Sequence, residues 1–342
     1  MREELPILST VHLTIDLAKL THNARKTLAI CRPFGLDVVG VTKGVCGSPD
    51  VARAMIAGGI KTLGDARLDN IARMRDAGIR EPMLLLRSPA LSEVPQCIGL
   101  ADISLNSDLG VLNALSQEAV SMGKRHRVIL MVDLDTGREG FAPEAMQGVC
   151  REVLAMDGLT LDGLGIYFSY QSEGSFHFAA QQRLVALAKE VEQEYGVGLS
   201  AVSGGSTNVF SSLTLAGKHI AGVNQLRIGT AILLGISSSI GPRHIEGFYN
   251  DTFVLDAELI EVKKRDRLLG ILSLGKLDTE PEQLFPVSPG VTVVKSTSDH
   301  IVVDLTELQQ PPRVGDRISF QLGYFALSRL MVSPYVKIEY RK

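Results

Sequence analysis

The chain has 342 residues, length for about two domains, and its 45% hydrophobic and 21% charged content is that of a packed globular protein, which excludes wholesale disorder. A net charge of −3 argues against a nucleic-acid partner. No run approaches about 18 uninterrupted apolar residues, and the opening MREELPILST is charged and polar where a signal peptide is apolar, so no membrane partner and a cytoplasmic location are expected.

In chain order, TIDLAKLTHNARKTLAICRPFG reads as the end of a strand followed by a helix, with Leu17, Leu20, Ala24, Leu28 and Cys31 at helical spacing. Short apolar runs then alternate with helical stretches. The runs are DVVGVTK, KTLGD, PMLLLR, ADISLN, RVILMVDLD, LDGLGIYFS, LSAVSGG and NQLRIG, with helices such as PDVARAMIAGG and LGVLNALSQEAVSMG between them. Eight strands, each followed by helix or turn, make the fold class α/β and the architecture a (β/α)8 barrel over residues 10–244. A doubly wound sheet is the alternative, but no GxGxxG opens any of the helices. From residue 245 to 342 the pattern becomes strand-like. FVLDAELIEVKK, LLGILSLGK, GVTVVKS, HIVVDL, DRISFQL and YVKIEY alternate apolar and polar at period two between Gly, Pro and Asp turns, which predicts a separate all-β domain.

The stretch around Lys43 organises the rest. Val38, Val39 and Val41 form a strand buried on both faces, and Lys43 stands at its carboxyl end. A lysine desolvated there loses its charge readily, as a Schiff-base nucleophile must. Barrel active sites are built at the carboxyl ends of the strands. Asp65, Arg67, Arg87, Asn106, Arg138, Tyr167, the run from Ser203 and Arg227 all stand at such ends, and the arginines point to an anionic ligand. In LSAVSGGSTNVF, Ser203, Gly204, Gly205, Ser206 and Thr207 lie between a strand and a helix start. Close backbone approach, free amides and hydroxyls suit a phosphate, although a Gly/Ser run also makes an ordinary turn. A second glycine turn, Arg227-Ile228-Gly229-Thr230, closes the next strand. A lysine facing a phosphate cradle points to pyridoxal 5′-phosphate, tethered at one end and held by amides at the other. The four cysteines, Cys31, Cys46, Cys97 and Cys150, are too scattered for a disulfide framework or a zinc ribbon, and Cys46 stands near Lys43.

The segments TIDLAKLTHNA, VTKGVCGSPD, MVDLDTGREGF, SGGST, VNQLRIGTAILLG, SDHIVVDL and LGYFALSRLMVSPYV span nearly the whole chain. They resemble the fold-type III pyridoxal-phosphate enzymes of the alanine racemase superfamily, most closely the ornithine racemase-like amino-acid racemases. The resemblance implies an isomerase that acts on a small amino-acid substrate as a homodimer. It makes Lys43 the Schiff-base lysine and Arg227 the partner of the pyridine nitrogen. Because a guanidinium can only donate, that nitrogen stays unprotonated, which favours racemisation over transamination. By the same resemblance Arg138 approaches the cofactor's phenolic oxygen, and Ser206, Thr207, Gly229 and Thr230, with Ser203 in the same run, hold phosphate. Tyr167 departs from the pattern of the superfamily and is expected to pack on the cofactor ring, with Phe168 and Tyr170 making this wall aromatic.

Racemisation needs a second acid/base opposite the lysine. Tyr324 is the candidate, and the resemblance implies that it serves the cofactor of the neighbouring subunit. In related lyases and aldolases the matching stretch carries two metal ligands. Here those positions are Tyr324 and Ala326, so no metal is expected although Asp299-His300 resembles part of such a site. The alternatives are a D-amino-acid lyase or aldolase on the same fold, and a non-catalytic pyridoxal-phosphate homeostasis protein, which resembles the barrel alone.

Overall fold

The structure, a computed structural model, describes residues 9–134, 136–168, 174–237 and 243–342. Strand β1 (Val11–Asp16) leads into helix α1 (Leu17–Cys31), which Asp16 caps by accepting the Lys19 amide at 2.9 Å. There follow β2 (Asp37–Val41), α2 (Pro49–Ala57), β3 (Thr62–Asp65), α3 (Leu68–Asp76), β4 (Met83–Leu85), α4 (Val94–Leu100), β5 (Ile103–Asn106) and α5 (Leu109–Ser121). Then come β6 (His126–Val132), α6 (Met146–Leu154), β7 (Leu159–Ile166), α7 (Gly174–Tyr195), β8 (Ala201–Ser206), α8 (Thr207–Ala216), β9 (Gln225–Ile228) and the short α9 (Thr230–Leu234). Strands β2 to β9 close into a parallel barrel in sequence order, β9 pairing back onto β2. These are the eight apolar runs of the sequence. They read as continuous rather than alternating because parallel strands covered by helices are buried on both faces.

Inside the barrel, Val39, Leu84, Ile103, Leu105, Ile129, Met131 and Ala201 form a core cluster of their own, with Leu86 and Tyr167 packed against it. This plug is the floor of everything built above it at the carboxyl ends of the strands.

The second unit contains β10 (Phe253–Lys264), β11 (Leu268–Leu272), β12 (Leu284–Pro286), β13 (Thr292–Ser296), β14 (Ile301–Asp304), β15 (Arg317–Leu322), helix α10 (Tyr324–Leu330) and β16 (Lys337–Arg341). Its sheet runs β12-β15-β10-β11-β14-β13. The alternation expected of β10 is visible in its first half, where Phe253, Leu255, Ala257 and Leu259 are fully buried. Two differences from the sequence reading matter. Strand β1, grouped there with the barrel segment, pairs antiparallel with β10 and parallel with β16, so the chain starts in the sheet and crosses to the barrel through α1. The LGYFALS stretch, read as part of a β segment, forms α10, because Ala326, Leu327 and Leu330 need a helical face to be buried together.

Candidate active site

Thr42 ends the buried run of β2, and Lys43 opens a single 3-10 turn, Lys43–Val45. Beneath it lies a fully buried carboxylate. Asp65, the last residue of β3, accepts Thr42 Oγ1 at 2.7 Å, Asn70 Nδ2 at 2.9 Å and the Arg67 amide at 3.0 Å. Burial pushes the Asp65 pKa up and these hydrogen bonds oppose the rise. The network pins the backbone that presents Lys43. The lysine projects into the cavity, and its pKa is lowered, first by desolvation within the protein shell and then by the Arg138 charge, with Asp65 pulling the other way. A lysine poised toward its neutral form is a nucleophile and a base.

Arg227, on β9, is buried in the same cavity. Its Nη1 donates to Ser203 Oγ at 3.2 Å and its Nη2 to the Ile166 carbonyl at 2.5 Å. Among the described residues no carboxylate pairs with it, and desolvation, then Arg138, brings its pKa down to about 10. Ser203, expected with the phosphate ligands, is fully buried and accepts from Arg227 beneath the cavity, so the structure places it as the support of that arginine.

Ser206 and Gly229 are the N-caps of α8 and α9, and among the described residues neither end carries a side-chain cap. Amides at two adjacent helix starts are thus left for an anion, with the Thr207 and Thr230 hydroxyls beside them at the cavity wall. A Cβ at Gly229 would lie 3.1 Å from Val41 Cβ, so the backbone approach there suits glycine.

Arg138 stacks on Tyr167, its guanidinium carbon 3.2 Å from the ring centroid, and pairs with Glu139. Both Arg138 and Tyr167 line the cavity. Phe168 is buried against the His177 ring, with centroids 4.4 Å apart, and belongs to the core. Tyr170 lies outside the described residues.

Tyr324 opens α10, which packs on the Lys43–Val45 turn of its own chain. Its ring lies over Gly44, and its hydroxyl oxygen is 3.4 Å from where a Gly44 Cβ would be. Tyr324, expected from the resemblance to serve a neighbouring subunit, thus stands beside the Lys43 turn of its own chain.

The remaining strand-end residues do not converge. Arg87 is held by Glu93 at 2.8 Å, Asn106 is buried against Ser104, and Arg67 is exposed. Cys46, at φ 52°, does not line the cavity, and burial raises its thiol pKa. Asp299 and His300 sit in the exposed turn between β13 and β14. Sequence reasoning missed Asn208, in the first turn of α8, and the apolar wall of Leu86, Leu105 and Met131. Asn208 follows SGGST directly and was findable. The wall was not, because every barrel strand offers such side chains.

Together these residues can take a flat, phosphorylated aromatic aldehyde. A poised lysine, a stacked tyrosine, a buried cation with no carboxylate partner among the described residues, and two helix starts without a side-chain cap among them face one cavity. Residues 15–237 match the family model described as alanine racemase, N-terminal domain. The chain is 30% identical to an ornithine racemase of Acetoanaerobium sticklandii and 32% identical to a lysine racemase of Thermotoga maritima, in each case across 96% of this chain and 98% of the relative. It superposes on the crystal structure of alanine racemase from E. faecalis with a TM-score of 0.77 and 20% identity, covering 98% of this chain and 100% of that one, a likeness of fold. The family model, which matches more than half of the chain, and the full-length relatives show that the chain belongs to the alanine racemase N-terminal domain family.

Proposed function

We propose that the protein is a pyridoxal 5′-phosphate-dependent amino-acid racemase, an isomerase, in which Lys43 and Tyr324 hold and return the Cα proton. The carrying observation is that these two proton-bearing side chains line one cavity whose buried cation, Arg227, has no carboxylate partner among the described residues. The full-length racemase relatives support the same reading.

The cofactor, when bound, supplies an electron-withdrawing ring conjugated to the substrate and so acidifies its Cα hydrogen. Lys43 Nζ would tether it and afterwards act as one base. The amides at Thr207 and Thr230, with the Ser206 hydroxyl, would hold its phosphate, Tyr167 would pack on its ring, and Arg138 would face its phenolic oxygen. Arg227 can only donate, so it would leave the cofactor's ring nitrogen unprotonated, which would favour return of the Cα proton over transfer of the amino group. Tyr324 Oη is the second acid/base.

The substrate is a small amino acid, and the relatives make ornithine and lysine the first to assay. Ala326 has no ligating atom and is fully buried beside Tyr324, which favours racemisation over a metal-assisted lyase reaction. A homodimer is the proposed assembly. Exposed apolar side chains around α10, Phe325 (42% exposed), Val332 (66%) and Tyr335 (76%), offer it a surface. Among the described residues no helix is long and apolar enough to cross a membrane, and a cytoplasmic location is proposed with it.

Incubation of single L-enantiomers with the purified protein, read by chiral chromatography, tests the activity. D-enantiomer should accumulate to equality, and Lys43→Ala should abolish both turnover and the visible absorption of bound cofactor. Release of an aldehyde or keto acid in place of the mirror amino acid would point to the lyase reading. An absorption spectrum unchanged by Lys43→Ala would remove the cofactor assignment.

A further inference from the structure

The opposite end of the barrel holds a second cavity, of about 930 Å³. Residues at or beside the first positions of the strands line it, among them Asp37, Thr62, Ile103, Arg127, Ser200 and Gln225. The apolar plug separates it from the active site. Val39, Leu84, Ile103 and Ala201 face this cavity, while Leu86, Leu105, Met131 and Tyr167 face the other.

A barrel interior is ordinarily filled by branched apolar side chains. Here the lowest layer is polar. Arg127 donates to Asp162 through Nε and Nη2, both at 2.9 Å, which neutralises a carboxylate only 4% exposed and leaves 44% of the arginine side chain accessible. Gln225, which also lines the cavity, has its Oε1 buried and, among the described residues, without a hydrogen-bond partner. An amide can present either its oxygen or its nitrogen, so Gln225 offers a polar group in the cavity wall. Around the mouth stand Arg25 and Arg32 of the α1 segment and Lys61 before β3. All three are exposed, and among the described residues none makes an ion pair or side-chain hydrogen bond. Four cationic side chains (Arg25, Arg32, Lys61, Arg127) therefore face two carboxylates (Asp37, Asp162), one of them already paired. Leu28, Leu36 and Val38 supply an apolar wall.

We propose that this cavity is a second ligand site, for a small anion bearing two or more carboxylate or phosphate groups. Low-dielectric walls with several cations on the rim concentrate field at the mouth and attract multivalent anions above monovalent salt. Arg25, Arg32 and Lys61 bind the charged groups, Arg127 contributes its exposed edge, and Gln225 bonds a polar group that reaches it.

The test titrates sodium pyrophosphate and, separately, citrate into the cofactor-loaded protein at fixed ionic strength, followed by calorimetry. Loading fills the phosphate cradle of the active site, and an unchanged visible absorption shows that the cofactor is not being displaced. Saturable binding is expected for at least one of the two anions. Pyrophosphate alone would identify a phosphate reader, citrate alone a carboxylate reader, and both together the shared chemistry. In the double variant Arg32→Gln/Lys61→Gln the affinity should fall by about tenfold or more, whereas Arg32→Lys/Lys61→Arg should keep it. No saturable binding of either anion, or binding that the glutamine variant leaves unchanged, overturns the proposal. Neither outcome bears on the racemase reading, whose residues lie above the plug.

Discussion

The ring of Tyr324 rests on Gly44, so closely that a Cβ at residue 44 would fall 2.8 Å from Tyr324 Cε2. The residue next to the proposed tethering lysine therefore sets the height of the proposed second acid/base. Gly44→Ala should push the ring away while leaving Lys43 and the helix starts in place. We expect cofactor absorption to persist and kcat to fall on the order of ten- to a hundredfold, as a displacement near 1 Å of a reacting group does. Tyr324→Phe keeps the packing and removes the hydroxyl, and should slow racemisation by about a hundredfold or more. In that variant exchange of the α-hydrogen for deuterium from the Lys43 face should outrun inversion. Normal activity in Tyr324→Phe would move the second base elsewhere.

Because Lys43 and Tyr324 meet within one chain, the two defects cannot complement each other. Mixing inactive Lys43→Ala with Tyr324→Phe should restore no activity, even where exchange of differently labelled subunits is demonstrated. Recovery toward a quarter or half of the wild-type rate would show that the tyrosine acts across a subunit boundary after all.

Residue by residue, what was legible follows from what is local. Val38, Val39 and Val41 announce a doubly buried strand, and a lysine after such a strand stands at the catalytic end of a barrel. Arg227 and the glycine turn after it were legible for the same reason. The side of the molecule on which Tyr324 stands was not. It depends on β1 pairing with β10 and β16, contacts between residues more than two hundred apart, which no window of sequence encodes. The helix α10 was legible in principle, since Ala326, Leu327 and Leu330 are spaced for one helical face. Period-two segments on either side favour strand in any local window. Ser203 opens the SGGST run and so suggests a phosphate ligand, yet the strand continues to Ser206 and alternation turns Ser203 toward Arg227.

Arg227 should control what the enzyme does with the electrons it releases. A carboxylate there would stabilise a protonated ring nitrogen, so Arg227→Glu should raise the share of turnovers that end in pyridoxamine phosphate, seen by its absorption during incubation with substrate. Stability should fall as well, because the Ile166 carbonyl and the Ser203 hydroxyl lose their donor in a buried place. An unchanged partition between racemisation and transamination would separate the arginine from this role, whatever happens to stability.

Lys43 carries a cost that the folded, cofactor-free protein should reveal. Its pKa is lowered from the ordinary 10.5, first by desolvation and next by Arg138. A base whose folded pKa lies below its unfolded value binds fewer protons when folded, across the window between the two values. Stability therefore rises with pH through that window, and below it the charged lysine is held at full penalty. Lys43→Met removes the penalty while keeping a flexible side chain of similar reach. The cofactor-free variant should melt at a higher temperature than the cofactor-free parent at neutral pH, and the gap should narrow as pH is raised toward 10.5. Thermal melts of both proteins across that range decide it. A variant no more stable than the parent at neutral pH, or a gap that does not change with pH, would mean that Lys43 is not strained by its surroundings, and its activation would then have to come from the bound cofactor alone.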